Sequence, residues 1–241
     1  MSCKELREAT EIRWFHKGLT AADLATLAKL GSLLPALQLL FLAGRSGLDG
    51  VPRLAKGLVA GALPALRRLI IADGMHVGDA GAAALAAALG RGAMPRLKRL
   101  VLRSTRIGDE GLVALAPALR RLPALEHLDL RSNSFGDEGL AALVAPPPAA
   151  GALRPPTGVL TRLKKLDVGG NWQITDAGCA TLTAAIDSGI LPVIEEIDLK
   201  HIHASDASRA AVQDALTWRL TNFRTAEVAH EVAHALLSLG S

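Results

Sequence analysis

The chain has 241 residues, half of them apolar and only 3% aromatic, with no tyrosine and a formal net charge of +4. This fits one elongated domain with a core of Leu and small residues, and the scattered Lys and Arg argue against the continuous basic patch that nucleic acid needs. Two distant cysteines in no metal-binding spacing, Cys3 and Cys179, supply no disulfide framework and point to a reducing compartment, so a cytoplasmic protein is expected, with the nucleus the other option.

Taken in order, the opening MSCKELREATEIR is too charged for a secretory signal. No apolar run reaches the roughly 18 residues of a membrane span, and no membrane contact is expected. Residues 1–36 read as an N-terminal cap with a degenerate repeat: a worn strand in EIRWFHKG with Ile12, Trp14 or Phe15 turned inward, then a helix over Ala21–Leu30 capped by Thr20. Residues 37–220 carry a regular pattern. Residues 146–159, PPPAAGALRPPTGV, interrupt it; Pro146 to Pro148 must stop the preceding helix, and an exposed inserted loop is expected there. Docking of this loop to a proline-recognising partner would need a flanking arginine-and-aromatic signature that is absent. Residues 221–241 are expected to form a separate capping helix, about Thr225 to Leu239.

The regular pattern is one unit repeated. Leu122 to Gly139 reads LPALEHLDLRSNSFGDEG, Met94 to Gly111 reads MPRLKRLVLRSTRIGDEG, and Leu160 to Gly178 reads LTRLKKLDVGGNWQITDAG. The first leucine of L-x-x-L-x-L falls at Leu37, Leu66, Leu97, Leu125, Leu163 and Ile194, roughly 30 residues apart save for a longer gap before Leu163. The next two apolar positions alternate with period two, as in Leu100 and Leu102 or Leu166 and Val168, which predicts a short strand with one buried face. An Asp then recurs at Asp49, Asp79, Asp109, Asp137, Asp176 and Asp206, where it is expected to cap the helix that follows it. Small residues follow two positions later at Gly81, Gly111, Gly139, Gly178 and Ser208, read as allowing close approach of helix and strand. Leucines at helical spacing come next, as in Leu115 and Leu119. Each unit is strand, turn, helix, and only a stack of such units buries its apolar faces.

This pattern resembles the ribonuclease-inhibitor-like class of leucine-rich repeat, on the repeat length, the GDEG turn and the full helix. The resemblance implies an α/β solenoid of about seven repeats, a curved horseshoe with parallel strands on its concave face and helices on its convex face. The asparagine that the class places after the strand stands at Asn133 and Asn171, whereas Thr105 and Ile202 replace it; those two turns are expected to be looser. The resemblance also implies that residues between the strand leucines face the hollow. The central row is then Phe41, Ile70, Val101, Asp129, Asp167 and Asp198. Beside it run Leu39, Arg68, Arg99, His127, Lys165 and Glu196 on one flank, and Ala43, Ala72, Arg103, Arg131, Gly169 and Lys200 on the other.

The hollow changes character along the stack, from apolar with arginines to a line of aspartates with basic neighbours. Contiguous apolar residues with arginine on an open face match the composition of interface centres. A partner-binding surface is therefore expected at Phe41, Ile70, Arg99, Val101, Arg103, Asp129, Arg131, Lys165, Asp167, Asp198 and Lys200. Short-range pairing such as Arg131 with Asp129 would also serve solubility alone. The expected role is protein–protein recognition by a monomer, with no catalysis, cofactor or nucleic acid. The family resemblance supplies an alternative, activation of a Ran-type GTPase, for which no catalytic arginine could be mapped. HEVAH, His230 to His234, matches the zinc-hydrolase H-E-x-x-H spacing, but only seven residues remain after His234 and no third ligand follows. His201 and His203, with Asp206 nearby, are read as loop residues and no metal site is assigned to them.

Overall fold

The computed structural model describes the backbone over residues 3–15, 18–44, 47–144 and 160–239, and side chains to residue 222, those of Cys3, Lys4 and Leu6 excepted. Pro146 to Pro148 and the rest of the 146–159 insertion lie outside the described residues, as do the side chains of HEVAH.

Seven strands make one all-parallel sheet in chain order: β1 Glu11–Phe15, β2 Leu39–Ala43, β3 Arg68–Ala72, β4 Arg99–Leu102, β5 His127–Asp129, β6 Lys165–Asp167 and β7 Glu196–Asp198. Helices alternate with them: α1 Cys3–Glu8 precedes β1, and α2 Ala21–Leu30, α3 Gly50–Gly57, α4 Gly78–Gly90, α5 Asp109–Arg120, α6 Asp137–Leu143, α7 Asp176–Asp187 and α8 Asp206–Leu239 follow the strands in turn. The α/β solenoid of about seven strand–helix repeats is as expected, with β1 paired to β2 at its start. Thr20 caps α2 with a reciprocal capping box through Asp23. The final boundary differs from expectation. A 34-residue α8 runs without a break from Asp206 to Leu239, so the seventh repeat's helix and the expected separate cap are one element. No glycine or proline interrupts its sequence to stop it.

The core lies between sheet and helices. Each strand sends two apolar side chains into it, such as Leu69 and Ile71 or Leu100 and Leu102. Each helix answers with its own leucines, such as Leu85, Leu115 and Leu182, and the turn before the helix adds Val77, Ile107, Phe135, Ile174 or Ile202. Period-two alternation turns Ile12 and Trp14 toward this core, and so puts Phe15 on the outer face with Arg13.

The recurrent Asp does something other than cap its own helix. Asp79 Oδ1 accepts from the backbone N–H groups of Gly108 (2.7 Å) and Gly111 (3.1 Å), which belong to the following repeat. Asp109 does the same for Gly136 and Gly139, Asp137 accepts from Thr175, and Asp176 accepts from Ser205. A carboxylate at the start of one helix thus satisfies orphan donors at the start of the next. Asp49 makes no side-chain cap, and at α8 the cap is Ser205, whose Oγ accepts from Ser208, while Asp206 pairs with Arg209. The small residue two positions on has the same origin. A Cβ at Gly111 would lie 2.4 Å from Asp79 Oδ1, and one at Gly178 the same distance from Asp137 Oδ1.

The asparagines form a second ladder beneath the strand ends. Asn133 Oδ1 accepts from the N–H groups of Thr105 and Ile107, while its Nδ2 donates to the carbonyls of Leu102 and Leu130. Asn171 Oδ1 in turn accepts from the Asn133 N–H. The Thr105 turn, expected to be loose, is therefore held by the asparagine of the next repeat, and Thr105 is fully buried with its hydroxyl donating to Leu102.

Candidate functional site

The strand registers place two of the expected rows side by side, and pair Ala43 with Ala72 in the third. Arg13, Phe41, Ile70, Val101, Asp129, Asp167 and Asp198 are consecutive partners down the middle of the sheet. Glu11, Leu39, Arg68, Arg99, His127, Lys165 and Glu196 run beside them. Of the apolar residues in these rows, Phe41 and Ile70 are partly exposed, whereas Leu39, Ala43, Ala72 and Val101 are buried. Phe15 extends the apolar strip: its ring centroid lies 4.4 Å from that of Phe41, and the residue is 45% exposed. The sequence signal for it was the alternation in EIRWF, which fixes Phe15 opposite Trp14 in facing.

Arginines surround this strip. Arg13 and Arg68 share one counterion, Glu11, at 2.9 and 3.4 Å, and Arg103 reaches Asp73 at 2.9 Å. Arg99, exposed on the flank, forms no ion pair among the described residues. The strand-to-helix turns above add a cavity of about 410 Å³ lined by Gly47, Leu48, Gly74, Met75, His76, Ser104 and Arg106. Leu48 there is 67% exposed, and no carboxylate lines the cavity among the described residues.

The other half of the hollow is an internally paired network. Arg131 bonds Asp129 at 2.9 Å and reaches Asp167 on the next strand, also at 2.9 Å. Lys165 pairs with Glu196 at 2.5 Å, and Lys200 lies 4.0 Å from Asp198. The aspartates are less accessible than their place on an open sheet suggested: Asp129 is only 8% exposed, because Arg131 lies against it and the neighbouring strands crowd it. Each also takes the N–H two residues on, Asp129 that of Arg131, Asp167 that of Gly169 and Asp198 that of Lys200. This local bond ends the strand at the aspartate, so β5, β6 and β7 are three residues long where β2 and β3 are five.

Burial, the neighbouring Asp129 and more distantly Asp198 push the Asp167 carboxyl up to about 6, against the opposing pull of the Gly169 N–H and Arg131. His127 is held below the usual imidazole range by burial and by Arg99 and Lys165. The two groups sit on adjacent strands in a shallow concavity of about 300 Å³.

At the far end, Trp172 stands 60% exposed on a loop, with His203 edge-on at 5.8 Å. With Lys200, His201 and Arg209 it lines a cavity of about 660 Å³ beside β7. Trp172 went unremarked in the sequence because its position carries Arg106 and Ser134 in the two preceding copies of the unit, and only the fold shows it outside the core. His201, His203 and Asp206 form no metal-binding group; among the described residues no cluster of three or more such ligands exists. No described helix is long and apolar enough to cross a membrane.

A family profile described as "Leucine Rich repeat" matches three stretches, residues 94–116, 122–144 and 159–182. A search of curated proteins finds no match. Among solved structures, the chain is similar to the actin-binding site 2 of leiomodin-1, with a TM-score of 0.51 and 16% identity over 79% of this chain and 99% of that one. It is similar to a protein from Bacteroides fragilis with a TM-score of 0.52 and 16% identity, over 88% of this chain and 65% of that one. The tropomodulin C-terminal domain from Caenorhabditis elegans aligns with a TM-score of 0.47 and 15% identity, over 76% of this chain and 99% of that one. At these identities the likeness is one of fold.

Proposed function

Since the chain is a leucine-rich-repeat protein, we propose that its concave sheet and the strand-to-helix turns bind a protein partner, without chemistry of their own. The observation that carries this reading is the Phe15–Phe41 ring pair, with Phe15 exposed and Phe41 partly so, continued by Ile70 on a sheet face that no other element covers among the described residues. Solubility alone gives no reason to place two rings there, and apolar surface beside arginine matches the centre of an interface. The surface comprises Phe41, Ile70, Val101, Arg99 and Arg103 in the first half and Asp129, Arg131, Lys165, Asp167, Asp198 and Lys200 in the second. Val101 and Asp129 shape it from beneath, being largely buried. We read the protein as a cytoplasmic monomer of the ribonuclease-inhibitor-like class, on its full helices such as α4, α5 and α7 and its two widely spaced cysteines.

Affinity capture from a lysate of the source organism tests the reading with three baits: wild type, Phe15→Glu/Ile70→Glu on the concave face, and Val113→Glu on the exposed face of α5. A protein held by wild type and Val113→Glu but lost by the concave variant is the expected result. Equal capture by all three baits, with circular dichroism confirming their fold, would overturn it. So would stimulation of GTP hydrolysis by a Ran-type GTPase that the concave variant leaves intact.

A further inference from the structure

The two halves of the hollow are not equivalent as docking surfaces. In the second half Arg131 joins Asp129 and Asp167, Lys165 holds Glu196, and Lys200 stands by Asp198, so its charges are largely answered from within. In the first half the charges are unbalanced. Among the described residues Arg13, Arg68, Arg99, Arg103 and Arg106 are met only by Glu11 and Asp73, and Arg99 and Arg106 form no ion pair. The same half carries the exposed apolar groups, Phe15, Phe41 and Ile70 on the sheet and Leu48 on the turn above. Arg106 lines the 410 Å³ cavity with Leu48, and its backbone is left-handed, with φ of +62°. Its counterpart in the next repeat, Ser134, does not share that conformation. Such a conformation is unfavourable for a side chain with a Cβ, and at Arg106 it accompanies an exposed cation rather than a buried contact.

We propose that the first half of the hollow, from Phe15 to Arg106, is the docking site for an acidic segment of a protein partner. The segment presents aromatic or aliphatic side chains to Phe15, Phe41 and Ile70 and carboxylates to Arg99 and Arg106. The proposal rests on the recognition reading above and names the chemistry of its partner. Charge complementarity chooses the occupant: unpaired arginines beside apolar surface favour a carboxylate-bearing peptide, to which guanidinium binds through two parallel hydrogen bonds. The aspartate line in the second half disfavours a polyphosphate running the length of the same groove.

The test is a selection of random twelve-residue displayed peptides on the full chain, followed by fluorescence anisotropy with the enriched sequences. Enriched peptides should carry several Asp or Glu around aromatic or aliphatic residues. Their affinity should fall about tenfold or more in Arg99→Glu/Arg106→Glu, and should weaken with salt. Val113→Glu, on the exposed face of α5, should leave it unchanged. Basic peptides whose binding is lost in Asp198→Lys would overturn the acidic-segment proposal while leaving the recognition reading standing. Peptides indifferent to Arg99→Glu/Arg106→Glu and to Phe15→Glu/Ile70→Glu, or no enrichment at all, would overturn both. A labelled single-stranded RNA is measured alongside, and tight binding dependent on Arg99 and Arg106 would replace the peptide with nucleic acid. Circular dichroism of each variant shows that the losses come from the surface and not from unfolding.

Discussion

The carboxylate of Asp109 lies 2.7 Å from the backbone nitrogen of Gly139, thirty residues further along the chain and one repeat further along the stack. The same oxygen takes the N–H of Gly136 at 2.8 Å, and a Cβ on Gly139 would come within 2.8 Å of it. Bond and glycine therefore belong to one device. Replacing Asp109 by Ala should cost about 1–2 kcal/mol through the two orphaned donors, read by urea unfolding. Gly139→Ala should cost about 1–3 kcal/mol through overpacking. The cost of Gly139→Ala should shrink when Asp109 is already Ala, because the carboxylate oxygen that the new methyl meets has gone; additive losses would show that the two residues act independently.

Asn133 is the densest node of the other ladder. Its side chain accepts from Thr105 and Ile107 and donates to Leu102 and Leu130, all out of water. Asn133→Ala should cost on the order of 3 kcal/mol, since buried donors and acceptors in two repeats lose their partner together. Thermal unfolding reads it, and a loss below about 1 kcal/mol would mean that water replaces the amide.

Asp167 makes stability depend on pH. Its folded carboxyl titrates near 6 against an ordinary value of 3.8, so the folded state holds a proton that the unfolded chain releases. The stabilisation from this group is complete below the unfolded value and is lost as pH rises through about 6. Asp167→Asn, which keeps an acceptor for Gly169, should stabilise the protein at pH 7 by about 1–3 kcal/mol and flatten the pH dependence between 4 and 7. Unfolding free energies at a series of pH values check this; an unchanged slope would assign the dependence elsewhere.

The turn after each of strands β2 to β7 repeats one left-handed residue, filled by Gly44, Asp73, Ser104, Ser132, Gly170 and His201. Where a Cβ is present the conformation costs energy. Ser104→Gly should therefore raise stability by about 0.5–1 kcal/mol, its N–H still donating to Arg131. The converse, Gly170→Ala, should destabilise, because the new Cβ would also lie 3.0 Å from Ser132 Oγ. Chemical denaturation of the pair measures both signs.

What was legible in one dimension was whatever a repeat does within itself. The L-x-x-L-x-L spacing specifies a strand with its face, and its recurrence specifies a stack, because period two and helical period are local consequences of backbone geometry. The order of residues along the strands followed from the same arithmetic: the row from Phe41 to Asp198 and the flank from Leu39 to Glu196 are consecutive register partners, and of the other flank the registers pair Ala43 with Ala72. What one repeat does for the next was not legible. Asp79 looks like the cap of its own helix until the stacking distance brings Gly108 and Gly111 to it. Thr105 looks like a weak substitute until Asn133 of the neighbouring turn bonds its backbone. The hollow followed the same division. Alternation alone placed Phe41, Ile70 and the three aspartates on one face, since side-chain direction is a property of the strand. That Asp129 is buried under Arg131, while Phe15 joins Phe41 and Arg99 has no counterion among the described residues, was decided by distances across strands far apart in sequence, which only the folded stack sets.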